Sequence, residues 1–267
     1  MYLQDIYVYP IKSLGGIKLE TAKLEERGFQ FDRRWMLVDR DGIFLSQRTF
    51  SKMALLQVEL FSDRLEVFEK CQPENRLNIP IESTSDLLID VTIWEDTVKG
   101  QVVVKEINNW FSEILGLDCR LVLMPESTKR RLKPKYAVHG ESVSFADGMP
   151  YLVIGQSSLN DLNVKLQEPV PMDRFRPNLV FNGGDPFVEG SWERVKIGEA
   201  VFKVTKPCAR CLMVTVNQQT GVKGKEPLRT LATYRTFQNQ VMFGQNMLLL
   251  EGSQIQVGDK IVPVGLD

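Results

Sequence analysis

The sequence predicts an α+β protein, dominated by β-structure and divided into two halves. Three observations carry this. From residue 1 to about 100, short β-rich segments alternate with turn residues. One segment, 104–116, switches to a helical period. Beyond it, short strand and helix candidates interleave. Strands this short and closely spaced suggest a barrel or sandwich. The boundary is expected near residue 122, giving domains over 1–122 and 123–267, which suits a chain of 267 residues.

The elements follow in order. Residues 2–9, YLQDIYVY, are β-rich and end at Pro10. The IKSLGG loop then brings Lys12, Ser13 and two glycines. RWMLVDRDGIFLSQR is expected to be a hairpin turning at DRDG, 39–42. LLQVELFSDRLEVF, 55–68, repeats the pattern around Ser-Asp. In VKEINNWFSEILG, Ile107, Phe111, Ile114 and Leu115 share one helical face, and Gly116 suits a C-cap. TKRRLKPK, 128–135, reads as a solvated basic linker. MPYLVIG, 149–155, reads as a buried strand, after which Ser157 or Ser158 is expected to cap a short helix bearing Leu159, Leu162 and Leu166. RFRPNLVF, 174–181, reads as a strand whose period of two puts Arg174, Arg176 and Asn178 on one face. Pro227 opens a helix over LRTLATYRTF. SQIQVGDKIVPVG, 253–265, closes the chain as strand, Gly-Asp turn and strand.

Composition excludes several function classes. The chain is 43% hydrophobic and 25% charged with a formal net charge of -1, so no global field recruits nucleic acid or anionic lipid. An anionic ligand would need a local cluster of Lys and Arg. No segment approaches the ~20 apolar residues that span a bilayer. The N-terminus looks like a strand rather than a signal peptide, so a cytoplasmic location is expected. Cys71, Cys119, Cys208 and Cys211 form no regular framework, and reduced thiols are expected. The single histidine, His139, excludes a zinc site built on two or three histidines. It lies in the loop-like KYAVHGES and is a candidate proton donor, although a solvated histidine is the ordinary reading. G-x-S-x-G, GxGxxG and GxxxxGK[ST] are absent, which removes a nucleophile elbow and any Rossmann or P-loop signal.

The pair in KPCARCLMVTV, 206–216, carries the most chemistry. A structural zinc site lacks its second cysteine pair. A redox dithiol normally opens a helix, whereas LMVTV reads as a strand and NQQTG as a turn. Buried packing is ordinary for free cysteine. Lys206 and Arg210 beside the thiols favour a reactive or metal-ligating thiolate. The residues alone leave these readings open. YPIKSLGG offers a phosphate cradle, and DRRWMLV is expected to put Arg33 and Arg34 on opposite strand faces.

Six stretches, YPIKSLGG, DRRWMLVD, FADGMPYLVIGQSSLNDLN, RFRPNLVF, KPCARCLMVTVNQQTG and VGDKIVPV, occur in an order that resembles the MOSC family over almost the whole chain. The chain looks most like that family's amidoxime-reducing members. The resemblance implies an N-terminal MOSC-associated β-barrel domain over 1–122, then a MOSC β-barrel domain over 123–267 with a few peripheral helices. It implies a molybdenum cofactor, molybdenum on molybdopterin, with its phosphate in a basic pocket. Cys211, the second cysteine of CxRC, would be the metal ligand and the catalytic residue, and Cys208 a neighbour that does not bind. A soft thiolate suits thiophilic molybdenum, and Arg210 would favour its ionised form. Cofactor contacts carry over to Lys12, Ser13, Arg33, Asp147 and Arg176, with Asn178 and Arg210 beside them. The family's polar residues flanking the aspartate are Ala146, Gly148 and Met149 here, leaving only backbone groups, and Ala209 stands where relatives often carry serine. The implied activity is reduction of small N-hydroxylated substrates. No iron–sulfur cysteine cluster or pyridoxal-phosphate desulfurase half lies in these residues. Electrons are therefore expected from a separate donor protein, iron–sulfur or a flavin or haem reductase. The alternative is a cofactor or sulfur carrier that uses Cys211 without turnover.

Overall fold

The computed structural model describes residues 1–82 and 85–265. β-Structure dominates, in sheets that are open half-barrels rather than closed ones. The largest has nine strands. From one edge it runs through Ile261–Val264 and Arg194–Ile197 to the long pair Ala200–Arg210 and Gln240–Glu251. It continues through Tyr151–Gly155, Leu179–Asn182 and Tyr2–Val8 to Ile17–Leu19. Tyr151–Gly155 and Leu179–Asn182 run parallel, and helix Gln156–Val164 makes the crossover such a pair requires.

The chain's first strand thus enters the sheet of its second half, with Ile6 opposite Leu179. Sequence explains this placement. Leu3, Ile6 and Val8 are buried in one core with Tyr151, Phe181 and Phe202, where burying each large apolar side chain is worth about 1.5–3 kcal/mol. A second core lies under the N-terminal sheets. There Trp35, Leu37 and Leu121 pack against Ile107 and Phe111 of helix Lys105–Leu115. Gly116 ends this helix at φ 68°, its N–H donating to Ser112 O at 2.9 Å. The expected hairpin over 55–68 is present as Leu56–Leu60 paired with Arg64–Glu69.

Several local expectations give way to packing. At DRDG the turn forms, with Gly42 at φ 79°, but the return strand shrinks to one Val38–Phe44 bridge because Phe44 N–H donates to Thr92 O. Helix Gln156–Val164 begins after Gly155, with no serine cap. Ser158 instead lies buried against Glu189, and its hydroxyl accepts from Phe187 N–H at 2.8 Å. RFRPNLVF is a strand only over Leu179–Asn182. Met172–Phe175 is a 3-10 turn, Arg176 is left-handed at φ 52°, and Pro177 has no N–H to give a ladder. LMVTV is likewise a 3-10 turn, Leu212–Thr215. Arg174 donates to Val214 O and Thr215 O, satisfying carbonyls that a strand would have paired. The strand before it, Ala200–Arg210, delivers the cysteine pair at its end. The basic segment over 128–135 is not simply solvated. Arg130 is buried, pairs with Asp96 at 2.7 Å and donates to the carbonyls of Ser144 and Ala146.

Candidate functional site

Several segments converge on a cavity of about 150 Å³. Among them are the loop after Tyr2–Val8, the loop before Trp35–Asp39, the stretch 146–149 before Tyr151–Gly155, the 3-10 turn ending at Phe175, and the end of strand Ala200–Arg210. The sequence-derived residues Lys12, Ser13, Arg33, Asp147, Arg176, Asn178, Arg210 and Cys211 all line it. Three of them, Ser13, Arg33 and Arg176, hold positive φ angles of 69°, 50° and 52° without being glycine. Such backbone costs about 1–3 kcal/mol per residue and persists where surroundings over-determine it.

Cations dominate the lining. Lys12 is buried, and its ammonium donates to Phe145 O at 2.8 Å and Asp147 Oδ1 at 2.5 Å. Burial lowers its pKa to about 8 despite the pull of Asp147. Arg33 is held by Asp32 at 2.6 Å and Asn178 Oδ1 at 3.1 Å, and also donates to Arg176 O. Arg33 and Arg34 do diverge, though from a left-handed turn rather than a strand; Arg34 leaves the cavity to pair with Glu25. Arg174 and Arg210 also line the cavity, with guanidiniums anchored on backbone carbonyls. Arg176 differs from all of these. It is 8% exposed, and its side chain makes no hydrogen bond or ion pair among the described residues. Burial lowers its pKa to about 10, with Tyr9 opposing and Arg33 adding to that shift. Buried charges are normally paired, so a free guanidinium on a cavity wall signals an anionic ligand.

Arg210 does not touch the thiol of Cys211. Its Nε and NH1 donate to Phe243 O and Phe175 O, and its NH2 has no partner among the described residues. Arg48 takes the role expected of Arg210. Its Nε donates to Cys211 Sγ at 3.1 Å, and its NH2 to Asp147 Oδ2 at 2.7 Å. Burial works against its charge, but Asp147 and Cys211 outweigh burial and raise its pKa above the ordinary value. Asp147 is thereby a clamp between two cations. Desolvation opposes its ionisation, but Lys12 and Arg48 hold its pKa well below the usual carboxylate range. Trp94 completes the group at φ 58°, with Arg48 Cζ 4.6 Å from its ring centroid and its Nε1 3.3 Å from Asp147. Sequence reasoning missed Arg48 and Trp94. The signal for Arg48 was only a polar break, SQR, after Ile43–Leu45; for Trp94 it was a bulky residue at the turn between Leu88–Ile93 and Asp96–Val102. His139 is exposed and does not line the cavity.

The donor set suits a phosphorylated, thiol-ligated metal group. The lining holds free or under-used cationic donors, including Arg176 and the orphaned Arg210 NH2, and the buried Ser13 Oγ has no partner among the described residues. Cys211 and Cys208, both half-buried, supply soft sulfur to the same lining. Among the described residues no three His, Cys, Asp or Glu side chains gather to hold a metal.

Comparison with known proteins adds to this geometry. The family model described as the MOSC domain matches residues 140–262, and that of the MOSC N-terminal beta barrel domain matches residues 1–118. Mitochondrial amidoxime-reducing component 1 of Mus musculus is 30% identical over 280 residues, covering 98% of this chain and 82% of its own. Molybdenum cofactor sulfurase of Oryza sativa subsp. japonica is 30% identical over 294 residues, covering 98% of this chain and 35% of its own. The Arabidopsis thaliana sulfurase is 33% identical over 265 residues, with 91% and 32% covered. The chain therefore spans about a third of the length of the sulfurases it matches.

Proposed function

Because the chain belongs to the MOSC family, we propose that it is a molybdenum-cofactor oxidoreductase reducing N-hydroxylated compounds. The observation that carries this reading is Arg176, a buried guanidinium with no hydrogen-bond or ion-pair partner among the described residues, lining one cavity with Lys12, Arg33 and Cys211. Lys12, Arg33 and Arg176 would hold the cofactor phosphate through charge-assisted hydrogen bonds. Ser13, Asn178 and the backbone around Asp147 would meet its remaining polar edge. Cys211 would ligate the metal. The bound cofactor would supply oxygen-atom transfer at the N–O bond. Arg48 would orient the Cys211 sulfur, and Asp147 would keep Arg48 and Lys12 in place. Breaking an N–O bond to leave amine and water takes two electrons and two protons. No histidine lines the cavity; protons would come from solvent or from the Lys12 ammonium, whose pKa burial lowers to about 8. Electrons would come from a separate donor protein, iron–sulfur or a flavin or haem reductase. The proposal includes a cytoplasmic location, where thiols stay reduced; none of the four cysteines is in a disulfide. No helix among the described residues is long and apolar enough to cross a membrane.

The sulfurase relatives favour a second reading, a cofactor or sulfur carrier in which Cys211 holds its cargo without substrate turnover. One experiment separates the two. Protein made in a cofactor-competent host is assayed for molybdenum and pterin, then given reduced viologen and a panel of hydroxylamines and amidoximes. Amine formation that disappears in Cys211→Ser, and that NADH alone does not drive, is expected. Loaded protein inert across the panel would leave the carrier reading, and protein without molybdenum or pterin would defeat both.

A further inference from the structure

We propose that Tyr9 is the positioning residue of the cavity's free guanidinium, acting through its ring. This rests on the reading that the cavity takes the cofactor's phosphate. Arg33 Cζ lies 4.3 Å, and Arg176 Cζ 4.2 Å, from the centroid of the Tyr9 ring. Arg33 has further anchors in Asp32 and Asn178. Arg176 has none through its side chain among the described residues, so the ring is what fixes it. A carboxylate in that place would occupy the guanidinium's donors and cancel its charge. A ring face attracts the cation while leaving every N–H free for an incoming anion.

The ring is itself immobilised. Tyr9 is 3% exposed, its N–H donates to Asp32 Oδ1 at 2.9 Å, and its carbonyl accepts from Arg33 N–H at 2.8 Å. Gly16 packs on its edge so closely that a Cβ there would meet Tyr9 Cε1 at 2.5 Å. The buried Asp32 therefore sets both the ring's backbone and Arg33, while the ring sets Arg176. Tyr9 is absent from the cavity wall, so it acts on a ligand through these arginines and not by touching it.

The test uses inorganic phosphate as probe, titrated calorimetrically into the cofactor-free chain, with pterin occupancy measured on protein from a cofactor-competent host. Tyr9→Leu should weaken phosphate binding about ten-fold and lower pterin occupancy, because a desolvated cation–π contact is lost. Tyr9→Phe keeps the ring and should bind within about two-fold of wild type. Adding Arg176→Met to Tyr9→Leu should cost less than the sum of the two changes, since Arg33 keeps Asp32 and Asn178 and most of the ring's effect runs through Arg176. A merely structural role would give additive losses. If Tyr9→Leu does not fold, Gly16→Ala, which displaces the ring and removes nothing, should also weaken binding. Wild-type affinity in Tyr9→Leu or Gly16→Ala, or a Tyr9→Phe as weak as Tyr9→Leu, overturns the role of the ring while the phosphate reading stands. A wild-type protein that binds neither phosphate nor pterin overturns both.

Discussion

Arg176→Met should weaken anion binding yet stabilise the cofactor-free protein. Arg176 is 8% exposed, and burial brings its pKa down from the ordinary arginine value to about 10. At neutral pH the arginine is charged in both folded and unfolded chains. Because its folded pKa is the lower one, the unfolded state holds the proton more tightly, and the buried charge costs the fold about 3 kcal/mol below pH ~10. That cost would fade only as pH rises above about 10. Removing the charge recovers it, less the cation–π contact with Tyr9, ~1–2 kcal/mol. Methionine keeps a polarisable contact with the ring, and its left-handed backbone is no more strained than arginine's. A net gain of about 1–2 kcal/mol corresponds to a melting temperature higher by roughly 2–8 °C for a chain of this size. In the opposite direction, losing a charged hydrogen-bond donor costs about 1.5–3 kcal/mol of anion binding, roughly 10- to 150-fold. Circular-dichroism melts of cofactor-free protein at pH 7.5 and phosphate titrations measure the two effects. A lower melting temperature would mean Arg176 has an internal partner after all, and unchanged phosphate affinity would mean its guanidinium does not face the ligand.

Three further outcomes follow from the same geometry. Cys211→Ser should lose most of its molybdenum by elemental analysis while Cys208→Ser keeps it, because Arg48 addresses only the Cys211 sulfur; equal loss in both variants contradicts this. Lys12, with its pKa lowered to about 8 by burial, loses its charge as pH rises through that value, so affinity for sulfate, which does not titrate there, should fall between pH 7 and 9. Over the same rise, stability of the cofactor-free protein should increase towards pH 10.5, since the unfolded lysine still holds its proton; Lys12→Met should flatten both profiles. Asp32→Asn removes a wholly buried carboxylate from Arg33 and should cost about 3–5 kcal/mol in urea unfolding; a loss under ~1 kcal/mol would mean Arg33 finds another counter-charge.

By itself the sequence determined whatever depends on local period and local chemistry. The helix Lys105–Leu115 with its Gly116 cap, the hairpin Leu56–Leu60 with Arg64–Glu69, and the buried strand Tyr151–Gly155 were legible because neighbours along the chain decide them. The order of six motifs brought Lys12, Ser13, Arg33, Asp147, Arg176, Asn178, Arg210 and Cys211 together as candidates before any contact was known. Tertiary structure alone decided how those groups are shared out. LMVTV has strand-forming residues, but Arg174 reaches its carbonyls from about 40 positions away and holds it as a turn. The guanidinium on Cys211 belongs to Arg48, separated from it by 163 positions, and not to adjacent Arg210, because Arg210 ends a strand that aims its side chain at the carbonyls of Phe175 and Phe243. A strand's alternation fixes which way a residue points, but which distant group waits there depends on how the two cores close around the cavity.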